Sequence, residues 1–326
     1  MRSAFFLQRV YDKLTHSFNF GLLDAKLSEL QLKRSEKIDP EGPCLMFSAY
    51  ETKYLANTYM YQDMTVDYVY RMWKSKSDLS KFTPLPLKTK ERVVLKRLEK
   101  NKRVNENCRG LFTMSKWLAN DMIENMGLPP EKIHYVGGGC NIDTNLIDTS
   151  KKNGRRFLFV GKDFERKGGI TVIEAFKILR EKYNDIELYI VGSKDIPDNL
   201  KNISGVYNPG LLPYKEVAEL FNLCDFFVLP SQFEAYGIVF AEALIFGLPC
   251  IGKNIYAMPE FIENDFNGYL INDNDPEELC SRMEQLLQER GRLVSNVQNM
   301  RDAYIKKYSW RSVVLRMLDV FRRDGF

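Results

Sequence analysis

Residues 228–250 decide the fold of this 326-residue chain, and they read Val-Leu-Pro-Ser-Gln-Phe-Glu-Ala-Tyr-Gly-Ile-Val-Phe-Ala-Glu-Ala-Leu-Ile-Phe-Gly-Leu-Pro-Cys. The run 225–229 is apolar and ends at Pro230, which predicts a buried parallel strand that enters a loop. Gly237 then begins a segment in which apolar residues recur at helical spacing. The free N–H groups at the start of that helix, around 236–239, predict an anion-binding site that the helix dipole favours.

Two carboxylates, Glu234 and Glu242, flank this predicted anion site, one at the tip of the loop and one within the helix. A carboxylate repels a bare phosphate, but it accepts hydrogen bonds from hydroxyl groups. The pair therefore predicts a ligand with a phosphate in its middle and hydroxyl-rich ends, which is a nucleotide sugar. The alternative is two solvated glutamates at a helix start, where acidic residues are favoured anyway.

The Glu-x7-Glu spacing, after Pro-Ser and before Gly-Leu-Pro, resembles the donor-site signature of retaining family-4 glycosyltransferases of the GT-B fold. A second block, Phe-Leu-Phe-Val-Gly-Lys-Asp-Phe-Glu-Arg-Lys-Gly-Gly at 157–169, is similar to the strand, glycine and basic pair that lead into a helix in that family. The resemblance covers 105–322. It implies an α/β fold with two Rossmann-like doubly wound domains, of which the N-terminal one is reduced.

The resemblance also implies a role for each site residue. Lys167 would stabilise the charge that builds on the leaving diphosphate, with help from Lys162, which stands where the family usually has arginine. Glu234 would contact the transferred sugar, and Glu242 would accept hydrogen bonds from the nucleotide ribose. Arg166 is either a third phosphate contact or a surface charge. The further predicted donor-binding residues are Gly161 and, through their backbone N–H groups, Tyr236, Gly237, Ile238 and Val239.

The same comparison predicts a retaining, metal-independent reaction without a cofactor, in which the nucleoside-diphosphate sugar is the co-substrate. No Asp-x-Asp motif accompanies the phosphate-binding residues. Only His16 and His134 are available as imidazole bases, but the departing phosphate itself can take the acceptor proton. Asp63 is a weak candidate on the acceptor side, and a plain loop aspartate is the alternative.

Positive charge is concentrated in one segment. Residues 71–109 carry 13 basic and 4 acidic side chains, a local charge of +9 in a chain of net charge +4. This favours an anionic membrane surface as a partner. The alternative is a solvated helix that buries Val94, Leu95 and Leu98. Nucleic acid is not expected, because the segment lacks the recognition elements of nucleic-acid-binding proteins.

Hydropathy and cysteine usage restrict the location. The apolar runs are too short and too interrupted for a membrane-spanning helix, and no secretory signal is visible. The six cysteines are scattered, without metal-site or disulfide spacing. We therefore expect a cytoplasmic protein, peripheral at the inner face of the membrane.

The predicted domains are 1–150 (a shortened acceptor-side domain), 151–308 (the donor-binding domain) and 309–326 (a terminal helix that crosses back). Residues 1–36 predict a helix in place of the family's opening strand and glycine-rich loop. A polar linker is expected at 141–153, and Gly137-Gly-Gly139 predicts a flexible turn before it. Alternating patterns predict strands at 157–160, 186–191, 226–229, 249–252 and 268–271, and helices at 169–183, 217–222, 237–246 and 276–289.

The predicted function is transfer of a sugar to an acceptor hydroxyl, with a glycan or lipid-linked cell-envelope precursor as the acceptor. Two alternatives stay open. One is a non-catalytic GT-B subunit that binds a nucleotide sugar and assists a partner glycosyltransferase, which a reduced first domain would suit. The other is a nucleotide-sugar epimerase, for which the two histidines supply no obvious acid and base.

Overall fold

The computed structural model describes residues 41–47, 55–75, 78–82, 90–193, 195–200 and 202–326. The chain divides into two compact units, Met1–Leu111 together with Phe326, and Phe112–Gly325. The helix predicted over 1–36 lies outside the described residues. The domain boundaries at 150 and 308 stay predictions.

Among its described residues, the first unit contains two parallel strands and two longer helices. Strand β1, Cys44–Met46, pairs with β2, Thr58–Gln62, with Cys44 opposite Thr58. Helix α1 is Val66–Ser75 and helix α2 is Glu91–Asn107. Val69 of α1 and Val94 of α2 share a small buried cluster.

The prediction that α2 buries Leu95 is wrong, because Leu95 is 44% exposed. The buried stripe of this helix runs through Val94, Asn101, Val104 and Asn105. Successive helical residues lie about 100° apart, so Leu95 falls outside a stripe centred on Val94. Polar Asn101 and Asn105, which pack inward, conceal this stripe in the sequence.

Strand β3, Gly110–Thr113, contains the point that divides the units. Helix α3, Lys116–Glu124, follows it, and its N-cap Ser115 accepts a hydrogen bond from the N–H of Leu118. Strand β4 is Ile133–Tyr135. The predicted linker at 141–153 contains two short 3-10 helices, Thr144–Leu146 and Thr149–Lys151, each capped by an aspartate.

The rest of the second unit is a doubly wound six-stranded parallel sheet with helices between its strands. The strands are β5 Arg156–Val160, β6 Glu187–Val191, β7 Val206–Gly210, β8 Phe226–Leu229, β9 Cys250–Lys253 and β10 Gly268–Ile271. The helices are α4 Gly169–Lys182, α5 Tyr214–Leu223, α6 Ile238–Ile245, α7 Pro276–Gln288, α8 Arg290–Asn299, α9 Arg301–Lys307 and α10 Trp310–Arg323.

The order of this sheet is β10-β9-β8-β5-β6-β7. The chain winds outward from β5 to β7 and then returns to place β8 against β5, with Phe157 opposite Phe226. The direction of winding therefore changes between β5 and β8. In open α/β sheets, ligands bind beyond the carboxyl ends of the strands at such a switch point.

The predicted strands and helices of the second unit lie within a few residues of the observed ones, but β7 was not predicted. Its middle residues are exposed, and it contains Pro209, so it has neither an apolar run nor a full set of N–H donors. Its position at the edge of the sheet explains both features. Helices α8 and α9 were also missed.

Candidate functional site

The two loops that the sequence singled out meet at the switch point. Gly168, before α4, has φ +80°, and a Cβ atom there would lie 2.4 Å from the carbonyl oxygen of Pro230. Only glycine permits this approach of the two backbones. The N–H of Gln232 also donates to the carbonyl oxygen of Arg166 at 2.8 Å. The β5–α4 and β8–α6 loops therefore form the wall of one site.

Lys167 and Glu234, one from each loop, form an ion pair in this wall, and each side chain is 13% exposed. Burial lowers the pKa of Lys167 below its ordinary value, while the Glu234 carboxylate acts against this by stabilising the ammonium form. Gly161 makes room for the lysine, because a Cβ atom on Gly161 would lie 2.9 Å from Lys167 Cγ. The structure therefore brings together Gly161, Lys167 and Glu234.

The other two basic residues of the block differ in their surroundings. Arg166 donates from Nε to Asp163 Oδ2 at 3.0 Å and from a terminal nitrogen to the carbonyl oxygen of Phe233 at 2.6 Å. Its guanidinium therefore links the two loops to each other. Lys162 is exposed, and among the described residues its side chain has no hydrogen-bond or ion-pair partner. Its ammonium group is available to a ligand.

The start of α6 supplies backbone donors. Gly237 is the N-cap with φ +88°, and the N–H of Phe240 is the first to bond back, to the Gly237 carbonyl oxygen at 2.9 Å. The N–H groups of Ile238 and Val239 therefore have no acceptor within the helix. Free N–H groups at the start of a helix can bind an anion.

Tyr236, just before this helix, contributes differently from its neighbours. Its side chain is buried, its hydroxyl accepts from the N–H of Gly138 at 3.0 Å, and its ring packs on Phe261 at 5.0 Å. The side chain anchors the helix start and leaves only the backbone for a ligand. The flexible turn predicted at 137–139 is instead buried and closely packed, since a Cβ atom on Gly138 would lie 2.5 Å from the Tyr236 ring.

Glu242 is a partly buried carboxylate without a partner among the described residues. Burial raises its pKa to about 7. Burial raises the pKa of Cys140 and the pKa of Tyr214 to about 12 each, and the nearby Glu242 carboxylate is the next largest cause in both cases. A carboxylate that is removed from water without a partner costs free energy. Groups with shifted pKa values also cluster at functional sites, so Glu242 is a candidate site residue. Sequence reasoning missed Cys140 and Tyr214, which lie far from either motif.

Glu260, which follows Met258-Pro259, is occupied by the protein. Its two carboxylate oxygens accept hydrogen bonds from the N–H groups of Lys116 and Trp117, at 3.0 and 2.9 Å. It therefore caps the start of α3 and satisfies two N–H groups that have no helical acceptor. No local pattern could reveal this contact, because the partners lie more than one hundred residues away in sequence.

An aromatic contact continues from this cap to the site. The ring of Trp117 packs edge-on against Tyr256 at 5.2 Å, and Tyr256 packs on Phe233 at 5.5 Å. Phe233 precedes Glu234. The start of α3 is thus connected through three rings to the loop that carries the Lys167 ion pair.

His134 lies in β4, and burial lowers its pKa.

No group of three or more His, Cys, Asp or Glu side chains among the described residues could hold a metal ion. Within the same part of the chain, no helix is both long and apolar enough to cross a membrane.

The sequence of the second unit identifies the family. Residues 144–307, half of the chain, match the sequence model described as "Glycosyl transferases group 1". The protein therefore belongs to the group 1 glycosyltransferases. The expectation of a glycosyltransferase family is confirmed, whereas membership of family 4 stays a prediction.

Two relatives show how far the similarity extends. An uncharacterized glycosyltransferase of Methanocaldococcus jannaschii is 27% identical over 237 residues, which cover 67% of this chain and 60% of the relative. The MMP alpha-(1->4)-mannosyltransferase of Mycolicibacterium hassiacum is 25% identical over 236 residues, which cover 69% of this chain and 57% of the relative. The chain thus spans less than two thirds of the length of these curated relatives.

Among solved structures, WaaG, a glycosyltransferase involved in lipopolysaccharide biosynthesis, is similar with a TM-score of 0.69 and 20% identity. The match covers 94% of this chain and 84% of WaaG. It concerns the fold, and it confirms the predicted α/β class with parallel sheets of the GT-B type. The shortening of the N-terminal domain stays a prediction.

Proposed function

We propose that this protein is a glycosyltransferase that moves a sugar from a nucleoside-diphosphate sugar to an acceptor hydroxyl, with retention of configuration. Family membership supports sugar transfer. The observation that carries the donor assignment is the Lys167–Glu234 pair, which lies between the β5–α4 and β8–α6 loops beside the start of α6. Farther along α6, the Glu242 carboxylate has no partner among the described residues. These groups offer positive charge, N–H donors and hydroxyl acceptors to one ligand.

The diphosphate would lie between Lys167 and the N–H groups of Ile238 and Val239. As the bond from the anomeric carbon to the phosphate oxygen breaks, negative charge builds on that oxygen. Preorganised positive groups that stabilise such charge are usually the largest contribution to catalysis. Lys162, exposed and unpaired within the described residues, adds a second ammonium group.

The two glutamates would hold the two ends of the donor. Glu234 orients the Lys167 ammonium through their ion pair and accepts hydrogen bonds from hydroxyls of the transferred sugar. Glu242 accepts hydrogen bonds from the ribose, which favours the ionised carboxylate and relieves the lack of a partner. Binding would thus satisfy the polar group of the site that burial penalises most clearly.

The transfer itself needs no protein base. The acceptor oxygen forms its bond to the anomeric carbon on the face that the diphosphate leaves, and the acceptor proton passes to the departing phosphate oxygen. This route suits a site whose charges come from Lys167 and Lys162. We propose on the same grounds that the reaction is metal-independent and requires no cofactor.

We further propose a glycan or lipid-linked cell-envelope precursor as the acceptor. Two similar proteins, an MMP alpha-(1->4)-mannosyltransferase and a glycosyltransferase involved in lipopolysaccharide biosynthesis, support this class. A cytoplasmic, membrane-peripheral location is supported by α2, where Val93 and Leu95 are exposed between Arg92 and Lys96. Apolar side chains set among basic ones suit an anionic membrane surface.

The non-catalytic subunit is not favoured, because the relatives are named as transferases. No contact of the described residues supports an epimerase.

Thermal unfolding with a panel of nucleoside diphosphates and their sugars tests the donor assignment. A ligand that binds only the folded state raises the unfolding temperature, and the rise grows with the logarithm of the ratio of ligand concentration to Kd. We expect one nucleoside diphosphate to stabilise the protein, and Lys167→Ala to reduce that effect while Lys177→Ala, an exposed lysine of α4, leaves it unchanged. Failure of every member of the panel to stabilise the wild-type protein would overturn the proposal.

A further inference from the structure

A second cavity, of about 680 Å³, lies between the edge strand β7 and helix α5. Its floor is apolar and includes Val206, Leu212 and Leu220. None of the predicted donor-site residues lines it. Its size falls within the range of about 300–1,000 Å³ that is typical of small-molecule sites.

Two tyrosines form one wall of this cavity. Tyr189 of β6 and Tyr207 of β7 lie opposite each other in the strand register, with their rings stacked at 5.0 Å and 24°. The hydroxyl of Tyr189 donates to Glu187 Oε2 at 3.1 Å, which fixes the inner ring. Tyr207, on the outside, is 46% exposed. The edge of the sheet thus offers a rigid aromatic surface to a ligand.

Charged side chains of both signs border the aromatic surface. Glu216 and Glu219 of α5 and Lys151 also line the cavity, and within the described residues none of the three side chains forms a hydrogen bond or an ion pair. Asn208 accepts the N–H of Gly210 with its side-chain oxygen at 3.0 Å, and its amide nitrogen donates to no acceptor in the described part of the chain. The cavity therefore combines hydrogen-bond donors and acceptors without one dominant charge.

We infer that this groove is a second carbohydrate-binding site, which holds a stretch of the acceptor glycan away from the donor. A pyranose ring turns C–H bonds toward one face, and these pack against the electron-rich face of an aromatic ring. Its hydroxyls both donate and accept, which matches the mixed rim of carboxylates, ammonium and amide. A polyanion would meet two carboxylates here.

The groove is poorly suited to a peptide strand that would extend the sheet. Pro209 lies in the middle of β7 and has no N–H to donate to an added strand. The groove is also connected to the donor site by α5, whose first residue, Tyr214, lies near Glu242. A glycan held along α5 would therefore lead away from the place where sugar is transferred.

That the bound glycan is the acceptor rests on the proposed glycosyltransferase function, but binding can be measured without turnover. The probes are soluble tetrasaccharides of glucose, mannose, galactose and N-acetylglucosamine, titrated against the full chain by saturation-transfer NMR. We expect at least one to bind, and Tyr207→Ala to weaken it by about tenfold. Tyr207→Phe should retain most of the affinity, because the ring remains.

The matched control is Leu211→Ala, which removes an apolar side chain that is 48% exposed and does not line the cavity. It should leave glycan affinity unchanged, and Glu219→Gln should weaken it. Binding that is absent from the wild-type protein, or equal in Tyr207→Ala, would overturn the inference. Stabilisation by nucleoside diphosphates is measured in parallel. If the wild-type protein binds a glycan but no nucleoside diphosphate stabilises it, the proposed function is refuted and the glycan site is not.

Discussion

Lys167 and Glu234 come from two different loops, yet they form an ion pair with only 13% of each side chain exposed. The transfer of two charges out of water costs free energy that their mutual attraction does not necessarily recover. A pair in this position is therefore weak support for stability alone. In the proposed function, the ammonium would contact the diphosphate and the carboxylate would contact hydroxyls of the sugar.

The first prediction concerns this lysine. Lys167→Ala should lower kcat/KM by a factor of roughly 10² to 10³, about 3 kcal/mol, because a positioned group that stabilises the leaving charge is removed. Steady-state kinetics with the donor found by thermal shift give the measurement. Lys162→Ala should have a smaller effect, since its side chain is exposed, and Lys177→Ala should have none. A folded Lys167→Ala variant with wild-type turnover would remove the lysine from the mechanism.

The second prediction is a pH dependence of nucleotide affinity. Burial raises the pKa of Glu242 to about 7 in the free protein. Ribose hydroxyls donate to the ionised carboxylate, so affinity should rise between about pH 6 and about pH 8, and binding should release protons. Calorimetry in buffers of different ionisation enthalpy measures both.

Glu242→Gln is the control for this dependence, since the diphosphate also ionises near pH 6. The variant should keep only the part of the pH dependence that comes from the ligand. Superimposable pH profiles of the two proteins would show that Glu242 does not contact the nucleotide.

The same carboxyl group should also affect stability. Its folded pKa is raised from 4.5 to about 7, so the folded state holds the proton more tightly than the unfolded state between these values. Its stabilising contribution is complete below about pH 4.5 and is lost as the pH rises through about 7. The loss amounts to at most about 3 kcal/mol, and solvent screening of this partly exposed group reduces it.

Urea unfolding of the wild-type protein and of Glu242→Gln, followed from about pH 4.5 to about pH 8, measures this contribution. The amide does not titrate, so the wild-type protein should lose stability relative to the variant across this range. A constant difference between the two proteins would be inconsistent with a raised pKa at Glu242.

The fourth prediction concerns the cap of α3. Glu260→Ala should lower the free energy of unfolding by about 2 kcal/mol, because two N–H groups at the helix start lose a charged acceptor. Glu124→Ala removes an exposed carboxylate from the same helix that has no partner among the described residues, and it should be near neutral. Equal urea midpoints for the two variants would contradict the role of the cap.

The part of the site that could be predicted from sequence is the part that is local. Gly161 with Lys167, and Glu234 with Gly237, lie within a few residues of each other, so each loop carries its own pattern. The alternation of strands and helices indicated that both loops follow the carboxyl ends of strands, but the strand order that creates the switch point came from the structure. The sequence could not indicate that Arg166 links the loops, because its acceptor belongs to Phe233.

Contacts between distant segments could not be predicted from the sequence, because no local pattern records which segments meet in the fold. The partners of Glu260, for example, are the backbone N–H groups of Lys116 and Trp117. The glycines at 137–139 suggested a flexible turn, because glycine permits many backbone conformations. In the structure, the missing side chains of Gly138 and Gly139 make room for the rings of Tyr236 and Trp310.

The last prediction compares two glycines. A Cβ atom on Gly138 would lie 2.5 Å from the Tyr236 ring, whereas one on Gly291, in α8, would meet nothing within 4 Å. Gly138→Ala should therefore destabilise the protein by about 1–3 kcal/mol, because the ring must move. Gly291→Ala should stabilise it by up to about 1 kcal/mol through higher helix propensity.

The Tyr236 ring anchors the start of α6, so its displacement should reach the anion site as well. Gly138→Ala should weaken nucleoside-diphosphate binding, measured by calorimetry at a temperature where the variant is fully folded, and Gly291→Ala should leave it unchanged. Reduced stability together with wild-type affinity in Gly138→Ala would separate the packing of Tyr236 from the position of the Ile238 and Val239 N–H groups. That result would mean that the Gly237 N-cap alone orients these donors.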